Sequence, residues 1–212
     1  MISDQEAGTW LSLADDLLWG FNHALSNRLA AITSITRILE YSDTGLDPLL
    51  TALSDEIVTL ERTLDLLRLI PRNPDGAAEP VRLEDLLPDV LRLHQVRSEL
   101  RDLEYDLRFE GEAQAIMVEP ARVNHAFLVA LGAIARYVIQ MGGSRVEATV
   151  ISTDSRVDAR LEAPILAAVP PDREALCTRS ELALMTHLVA PFGGEVSQEV
   201  VDGEGDPRVR IT

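Results

Sequence analysis

The stretch FNHALSNRLAAI, residues 21–32, lies in the middle of a long helical pattern and decides the fold of the N-terminal third of the chain. Around it, apolar or small residues recur three and four positions apart, which is typical of a helix that packs in a bundle. With Leu18 and Leu25 at position a of this heptad, His23 falls at position f, on the opposite, solvated side. The pattern predicts a first helix from about Gln5 to Tyr41 that displays a polar nucleophile on a rigid support. The seam positions are Leu11, Ala14, Leu18, Phe21, Leu25, Ile32, Ile35 and Leu39, interrupted at Arg28.

A second heptad pattern follows a turn signal, Ser-Asp-Thr-Gly at 42–45. Because so short a connection makes the two helices antiparallel neighbours, residues 1–72 are predicted to form a helical hairpin. A hairpin buries only one face of each helix, so we expect two copies to associate as a homodimer with a four-helix bundle. The apolar positions of the second helix are Leu46, Leu50, Leu53, Ile57, Leu60, Leu64 and Leu67.

The pattern changes after Pro71, which ends the second helix, and residues 73–80 are predicted to be a linker. Residues 81–212 are predicted to form a second domain, an antiparallel sheet layered against helices. The whole chain is therefore expected to be α+β, a helical hairpin followed by an α/β sandwich. Helices are predicted over 82–100, 119–141 and 179–190, and strands within 104–118, 146–152, 157–163, 195–201 and 208–212.

Composition indicates which binding partners the protein can have and where in the cell it works. The chain carries 35 acidic and 19 basic residues, a net charge of −16, and all of its basic residues are arginine. So acidic a protein repels nucleic acid and anionic membrane, and no apolar run is long enough to suggest a membrane span. Cys177 is the one cysteine, which excludes an intramolecular disulfide. We therefore expect a cytoplasmic protein that binds neither nucleic acid nor membrane.

The order of elements resembles the core of bacterial histidine kinases, a dimerisation hairpin followed by an ATP-binding α/β sandwich, over nearly the whole chain. FNHALSNRLAAI resembles their phosphoacceptor box, with His23 as the phosphoacceptor, Asn27 four positions on and Leu29 six positions on. The resemblance implies that Asn27 orients a water or the ring. Family kinases place an acid directly after the histidine, where this chain has Ala24, and this departure weakens autokinase activity. Arg28 is predicted to meet an acidic partner at the bundle edge; the alternative is an ordinary surface arginine.

The resemblance also places three nucleotide-binding signatures in the second domain, and the sequence departs from each. The asparagine positions, one of which ligates magnesium in the family, hold Val129 and Ala133. The turn that reads adenine, Asp-x-Gly-x-Gly, has no counterpart in 159–171. The expected glycines before the last helix are replaced at 179–181, where Glu181 puts a negative charge in place of a phosphate cradle. ATP and magnesium are therefore not expected to bind.

A kinase-like core without nucleotide binding is similar to the bacterial histidine phosphotransferases of the ChpT type. This resemblance implies a histidine phosphotransferase that relays phosphoryl groups through His23 between response-regulator receiver domains, with a sensor kinase as a further candidate partner. A second hypothesis is a pseudokinase scaffold or inhibitor that binds a kinase or response regulator without phosphotransfer. A third is an active histidine kinase with unusual ATP loops. Whether the chain is an enzyme stays open between them.

The remaining histidines and the tryptophans are predicted to be structural. The histidines show no metal-ligand spacing with one another or with Cys177, and the tryptophans suit packing better than a ligand platform. These residues are His94, His125, His187, Trp10 and Trp19.

Overall fold

The α+β fold predicted from the sequence is confirmed: a long helical hairpin precedes an α/β sandwich. The computed structural model describes residues 4–41, 46–70, 76–97, 100, 102–153, 156–164, 176–199 and 207–212. The predicted turns at 42–45 and 154–155 lie outside the described residues.

Helix α1 spans Asp4–Tyr41 and pairs with α2, Leu46–Asp65, which continues into a 3-10 turn, Leu66–Leu69. The first half of α1 extends past the end of α2 and docks on the sandwich. There Leu13, Leu17 and Phe21 keep 8%, 0% and 2% of their surface exposed. Neither the second half of α1 nor α2 contains a buried residue. One continuous helix therefore serves two different packing environments.

Gly20 lets α1 approach the sandwich closely. A Cβ atom at this position would lie 2.7 Å from the carbonyl oxygen of Val96, which follows helix α3, Leu83–Gln95. The backbone contact between α1 and the end of α3 is therefore possible only without a side chain at Gly20. The residue lies three positions before His23, so the docking is fixed next to the predicted phosphoacceptor.

The predicted heptad seam is open to solvent in a single chain over much of its length. Leu25, Ile32, Ile35 and Leu39 are half-buried against α2. Beside them, seam residues and Leu29 form two exposed rows, here called the open stripes, in which leucine or isoleucine stays 41–66% exposed. Two apolar rows at bundle spacing suit a second helix pair better than water. The open stripes are Leu11, Leu18 and Leu29 on α1, and Leu50, Ile57 and Leu64 on α2.

The sandwich contains two sheets, one of two strands and one of five in the order β2-β4-β5-β7-β6. The prediction of an antiparallel sheet is wrong at one edge, because β2 and β4 pair in parallel while the other pairs are antiparallel. The parallel pair is possible because a whole helix, α4 (Pro120–Gln140), crosses over between these strands. The strands are β1 Glu79–Arg82, β2 Glu104–Glu110, β3 Ala115–Val118, β4 Arg145–Thr153, β5 Arg156–Glu162, β6 Val196–Glu199 and β7 Arg208–Ile211.

The linker predicted over 73–80 needs a correction at its end. Glu79 and Pro80 belong to β1, which pairs antiparallel with β3 and so forms part of the sandwich. Residues 71–75 lie outside the described residues. The domain division at 1–72 and 81–212 otherwise stays a prediction.

Helix α4, Pro120–Gln140, forms the centre of the sandwich core and lies next to α5, Arg179–Val189. In the described residues it is the one helix long and apolar enough to cross a membrane, but 83% of its most apolar window is buried inside the protein. Such burial is typical of the core helix of a folded domain.

Candidate functional site

His23 is exposed on α1. Trp19 lies one helical turn before it and Asn27 one helical turn after it. The amide nitrogen of Asn27 lies 3.2 Å from Nε2 of His23. An amide nitrogen can only donate, so with this amide orientation Nε2 is the acceptor and the ring proton sits on Nδ1. The Nε2 lone pair is therefore directed at Asn27, one turn further along α1, and is held by one replaceable hydrogen bond.

Trp19 is the residue at this site that the sequence analysis missed. Its ring stacks on His23 with centroids 6.0 Å apart and planes 6° from parallel, while the side chain stays 62% exposed. Trp19 therefore packs on the surface beside His23 and not in the core, and its assignment as a packing residue rather than a ligand platform stays a prediction. The spacing of four positions between Trp19 and His23 is the signal that could have found the pair, because such residues face each other on a helix.

His23 forms no ion pair with an Asp or Glu among the described residues. Ala24 occupies the position where family kinases carry an acid. The acid on the same stripe, Asp16, lies two turns away and pairs with Arg97 of the sandwich at 2.9 Å. Asp16 therefore anchors α1 to the sandwich on the side that carries His23.

Arg28 has a partner inside its own chain. Its guanidinium donates to both carboxylate oxygens of Glu56 on α2, at 3.0 and 3.1 Å. The pair joins the two hairpin helices at the position where the heptad lacks an apolar residue. The structure therefore gives Arg28 a role within the hairpin, and its contact with an acidic partner protein stays a prediction.

The N-terminus of α5, where family kinases hold phosphates, is closed by its own side chains. The hydroxyl of Thr178 accepts from the backbone N–H of Glu181 at 3.2 Å, and the Glu181 carboxylate accepts from the N–H of Thr178 at 2.8 Å. This capping box uses N–H groups that a phosphate would need. The other Glu181 carboxylate oxygen accepts from Arg136. The T-x-x-E pattern at 178–181 is the sequence signal for this closure.

The corresponding face of α4 is also occupied. Val129 and Ala133 keep 4% and 1% of their surface exposed. The first half of α1 covers this face and leaves a cavity of about 320 Å³ between α1, α4 and the start of α5. The guanidinium groups of Arg97 and Arg136 lie over Gly132, and both are engaged by carboxylates, Asp16 and Glu181.

Two buried histidines and the buried cysteine of the sandwich are uncharged at neutral pH. Burial, with a smaller contribution from nearby arginine, lowers the pKa of His94 and of His125 to about 3. Burial raises the pKa of the Cys177 thiol to about 12. The ring of His125 packs on Trp10 of α1 with centroids 4.1 Å apart, so this histidine contributes to the docking of α1. No group of three or more His, Cys, Asp or Glu side chains suited to a metal occurs in the described residues.

Comparisons with known proteins identify a fold and no closer relationship. No protein-family model matches the chain, and no curated protein sequence does either. Full-length ShkA in complex with AMPPNP matches with a TM-score of 0.50 and 19% identity, over 93% of this chain and 45% of ShkA. A bacterial phosphotransferase matches over 100% of this chain and 98% of its own, with a TM-score of 0.48 and 12% identity. The ATP-binding domain of PrrB from Mycobacterium tuberculosis matches over 65% and 96%, with a TM-score of 0.47 and 21% identity.

Proposed function

The chain has the fold of a histidine-kinase-like core, and we propose that it is a histidine phosphotransferase of two-component signalling. His23 takes a phosphoryl group from one response-regulator receiver domain and passes it to another. The observation that carries this proposal is the exposed His23 ring, whose Nε2 lone pair is oriented by Asn27 at 3.2 Å on a helix anchored to the sandwich.

The chemistry follows from this orientation. Nε2 attacks the phosphorus of an aspartyl phosphate in line, the N–P bond forms, and the P–O bond to the partner's carboxylate breaks. Asn27 must release Nε2 as phosphorus approaches. The Nδ1 proton stays on the ring until water takes it, because Ala24 offers no carboxylate. The transfer to the second receiver domain reverses these steps on another aspartate.

We infer that the phosphoryl group comes from a partner and not from ATP. Support comes from the capping box of Thr178 and Glu181 and from the apolar Val129 and Ala133 at the two asparagine positions of the family, one of which ligates magnesium. A Mg–nucleotide complex does not fit these groups, because hard cations need oxygen ligands and phosphates need free N–H donors. Titration with Mg–ATP in a calorimeter is expected to show no binding at micromolar concentrations; such binding would favour the third hypothesis, an active kinase.

The proposed assembly is a homodimer joined along the open stripes, working in the cytoplasm. Two hairpins that cover each other's exposed leucines would complete a four-helix bundle. Light scattering is expected to give twice the mass of one chain. A monomer at high micromolar concentration would contradict the dimer without bearing on the chemistry of His23.

The phosphotransfer proposal is tested by incubating the protein with receiver domains of the source organism that carry a ³²P-labelled aspartyl phosphate. At least one receiver is expected to label the wild-type chain, and His23→Gln abolishes the label. His187→Gln is the matched control, because His187 is half-buried on α5, away from the site. Label that persists in His23→Gln would show that the proposed residue is wrong.

A scaffold or inhibitor is the second candidate, and Ala24 is the observation that favours it. Without an acid beside the histidine, general-base assistance worth about a hundredfold in rate is lost. A receiver domain that binds the chain while its label never reaches His23 would support this function instead.

A further inference from the structure

A cleft of about 730 Å³ separates the hairpin from the sandwich beside His23. One wall is the end of α2 with the 3-10 turn that follows, and the other wall is the last two turns of α3. Ala24 of α1 lines the same cleft. His23 is the preceding residue, and Asp16 on its stripe contacts Arg97 just beyond α3. The cleft therefore opens next to the face of α1 that displays the histidine.

The charge of the cleft is opposite to that of the protein. Its lining contains three arginines and two aspartates, although the chain as a whole carries −16. Arg68 and Arg92 pair with aspartates on their own helical turns, Asp65 and Asp89. Arg62 lines the cleft, and it forms no hydrogen bond or ion pair with any residue that the structure describes.

The position of Arg62 on α2 brings it level with His23. The Arg28–Glu56 ion pair fixes the register of the antiparallel helices. Because the two helices are antiparallel, a residue five positions before Arg28 lies level with a residue five positions after Glu56. His23 on α1 is therefore level with Glu61 on α2. Arg62 is the next residue, so an uncommitted guanidinium lies about level with the phosphoacceptor along the hairpin. Planar guanidinium groups suit carboxylate and phosphate partners.

We propose that this cleft is the docking site for the anionic, phosphoryl-bearing face of a receiver domain, and that Arg62 is its main contact. The inference rests on the proposed phosphotransfer function and adds the surface that positions the donor. Charge complementarity selects this occupant, because an aspartyl phosphate and the carboxylates around it meet a local excess of positive charge. A second copy of the chain suits the cleft less well, since the open stripes that would join two copies are apolar and the cleft is charged.

The experiment compares Arg62→Glu with Arg37→Glu. Both variants reverse the charge of one exposed arginine of the hairpin, but Arg37 lies outside the cleft. Each protein is phosphorylated in two ways: by a labelled receiver domain, which must dock, and by phosphoramidate, a small donor that needs no docking surface. We expect Arg62→Glu to slow transfer from the receiver at least tenfold, with a loss that shrinks as salt is added to both proteins. Arg37→Glu stays within about twofold of wild type.

The small donor separates failure of this inference from failure of the proposed function. Phosphoramidate should label His23 equally in wild type and in both variants, and circular dichroism with a cooperative urea transition shows that the variants are folded. Should Arg62→Glu fail to fold, Arg62→Gln replaces it. Transfer from the receiver that is equal in Arg62→Glu and wild type would overturn the docking site. A shift of Arg62→Glu from dimer to monomer in light scattering would assign the cleft to a second copy and also overturn it. An absence of label on His23 from either donor would instead overturn the phosphotransfer function.

Discussion

The two halves of α1 differ in how completely they are buried. Residues 4–21 dock on the sandwich and bury Leu13, Leu17 and Phe21, whereas residues 22–41 pack only against α2 and bury no side chain. The first half buries one apolar stripe within the chain, while exposed leucines run along both halves, at Leu11, Leu18 and Leu29. The first half is thus part of a domain core on one side only, and His23 lies just past the end of the docked segment.

The comparison is tested most directly by two neighbouring leucines in the first half. Leu17 is 0% exposed and Leu18 is 46% exposed. Leu17→Ala leaves a cavity in the docked core, and we expect the free energy of unfolding to fall by about 3 kcal/mol. Leu18→Ala should cost less than about 1 kcal/mol. Urea unfolding at a protein concentration low enough to keep the chain monomeric measures both, because Leu18 is exposed in the single chain; equal losses there would show that the first half is not docked in solution.

The pH dependence of the unfolding free energy tests how firmly the first half of α1 is docked, because His125 packs on Trp10 of that half. Its pKa is about 3 in the folded chain and about 6.5 when unfolded. Between these values only the unfolded chain binds the proton, so this contribution to stability is complete above pH 6.5 and is lost as the pH falls towards 3. Lowering the pH from 7 to 5 should cost about 2 kcal/mol through this group.

The control for the titration is His125→Gln, which cannot titrate. Its unfolding free energy should change less between pH 7 and pH 5 than that of the wild type, by the amount assigned to His125. The same pH dependence in both proteins would show that His125 is accessible to protons, and that the first half of α1 is only loosely docked.

The smallest expected effect belongs to the second half. The Arg28–Glu56 pair is partly exposed, with 42% and 24% of the side chains accessible, so Arg28→Met should destabilise the hairpin by less than about 1 kcal/mol. A double-mutant cycle with Glu56→Gln isolates the pair by chemical unfolding. If Arg28→Met slows transfer from a receiver domain and Glu56→Gln does not, Arg28 has the partner-binding role predicted from the sequence.

Most of the fold could be predicted because its elements have strong local signals. Helices are predicted by the heptads of α1 and α2 and by the proline at the start of α4. Strands are predicted by the alternation of apolar and polar residues in β4 and β5. β1 was missed because it is only four residues long and contains Pro80. The parallel pairing of β2 with β4 was missed because strand direction within a sheet depends on the path of the chain between the strands.

The site was predictable at His23 and Asn27, whose spacing places them on one helical face. The sequence could not show which apolar stripe of α1 packs inside its own chain. Leu13 and Leu17 lie on one stripe and Leu11 and Leu18 on another, and both have helical spacing. Only the position of the sandwich decides that the first stripe is buried. Long-range pairs such as Arg28–Glu56 and Arg97–Asp16 likewise leave no local signal.

The position of His23 around α1 has a consequence for stoichiometry. At 100° per residue, His23 is about 120–140° around the helix from Leu18 and Leu29 of the open stripe. In a two-fold dimer joined along the open stripes, the two histidines point away from the axis on opposite sides. Each is then reached by its own partner without crowding the other. Under the proposed function, such an assembly would bind two receiver domains at once, one for each chain, and occupancy of the first site would leave the second free.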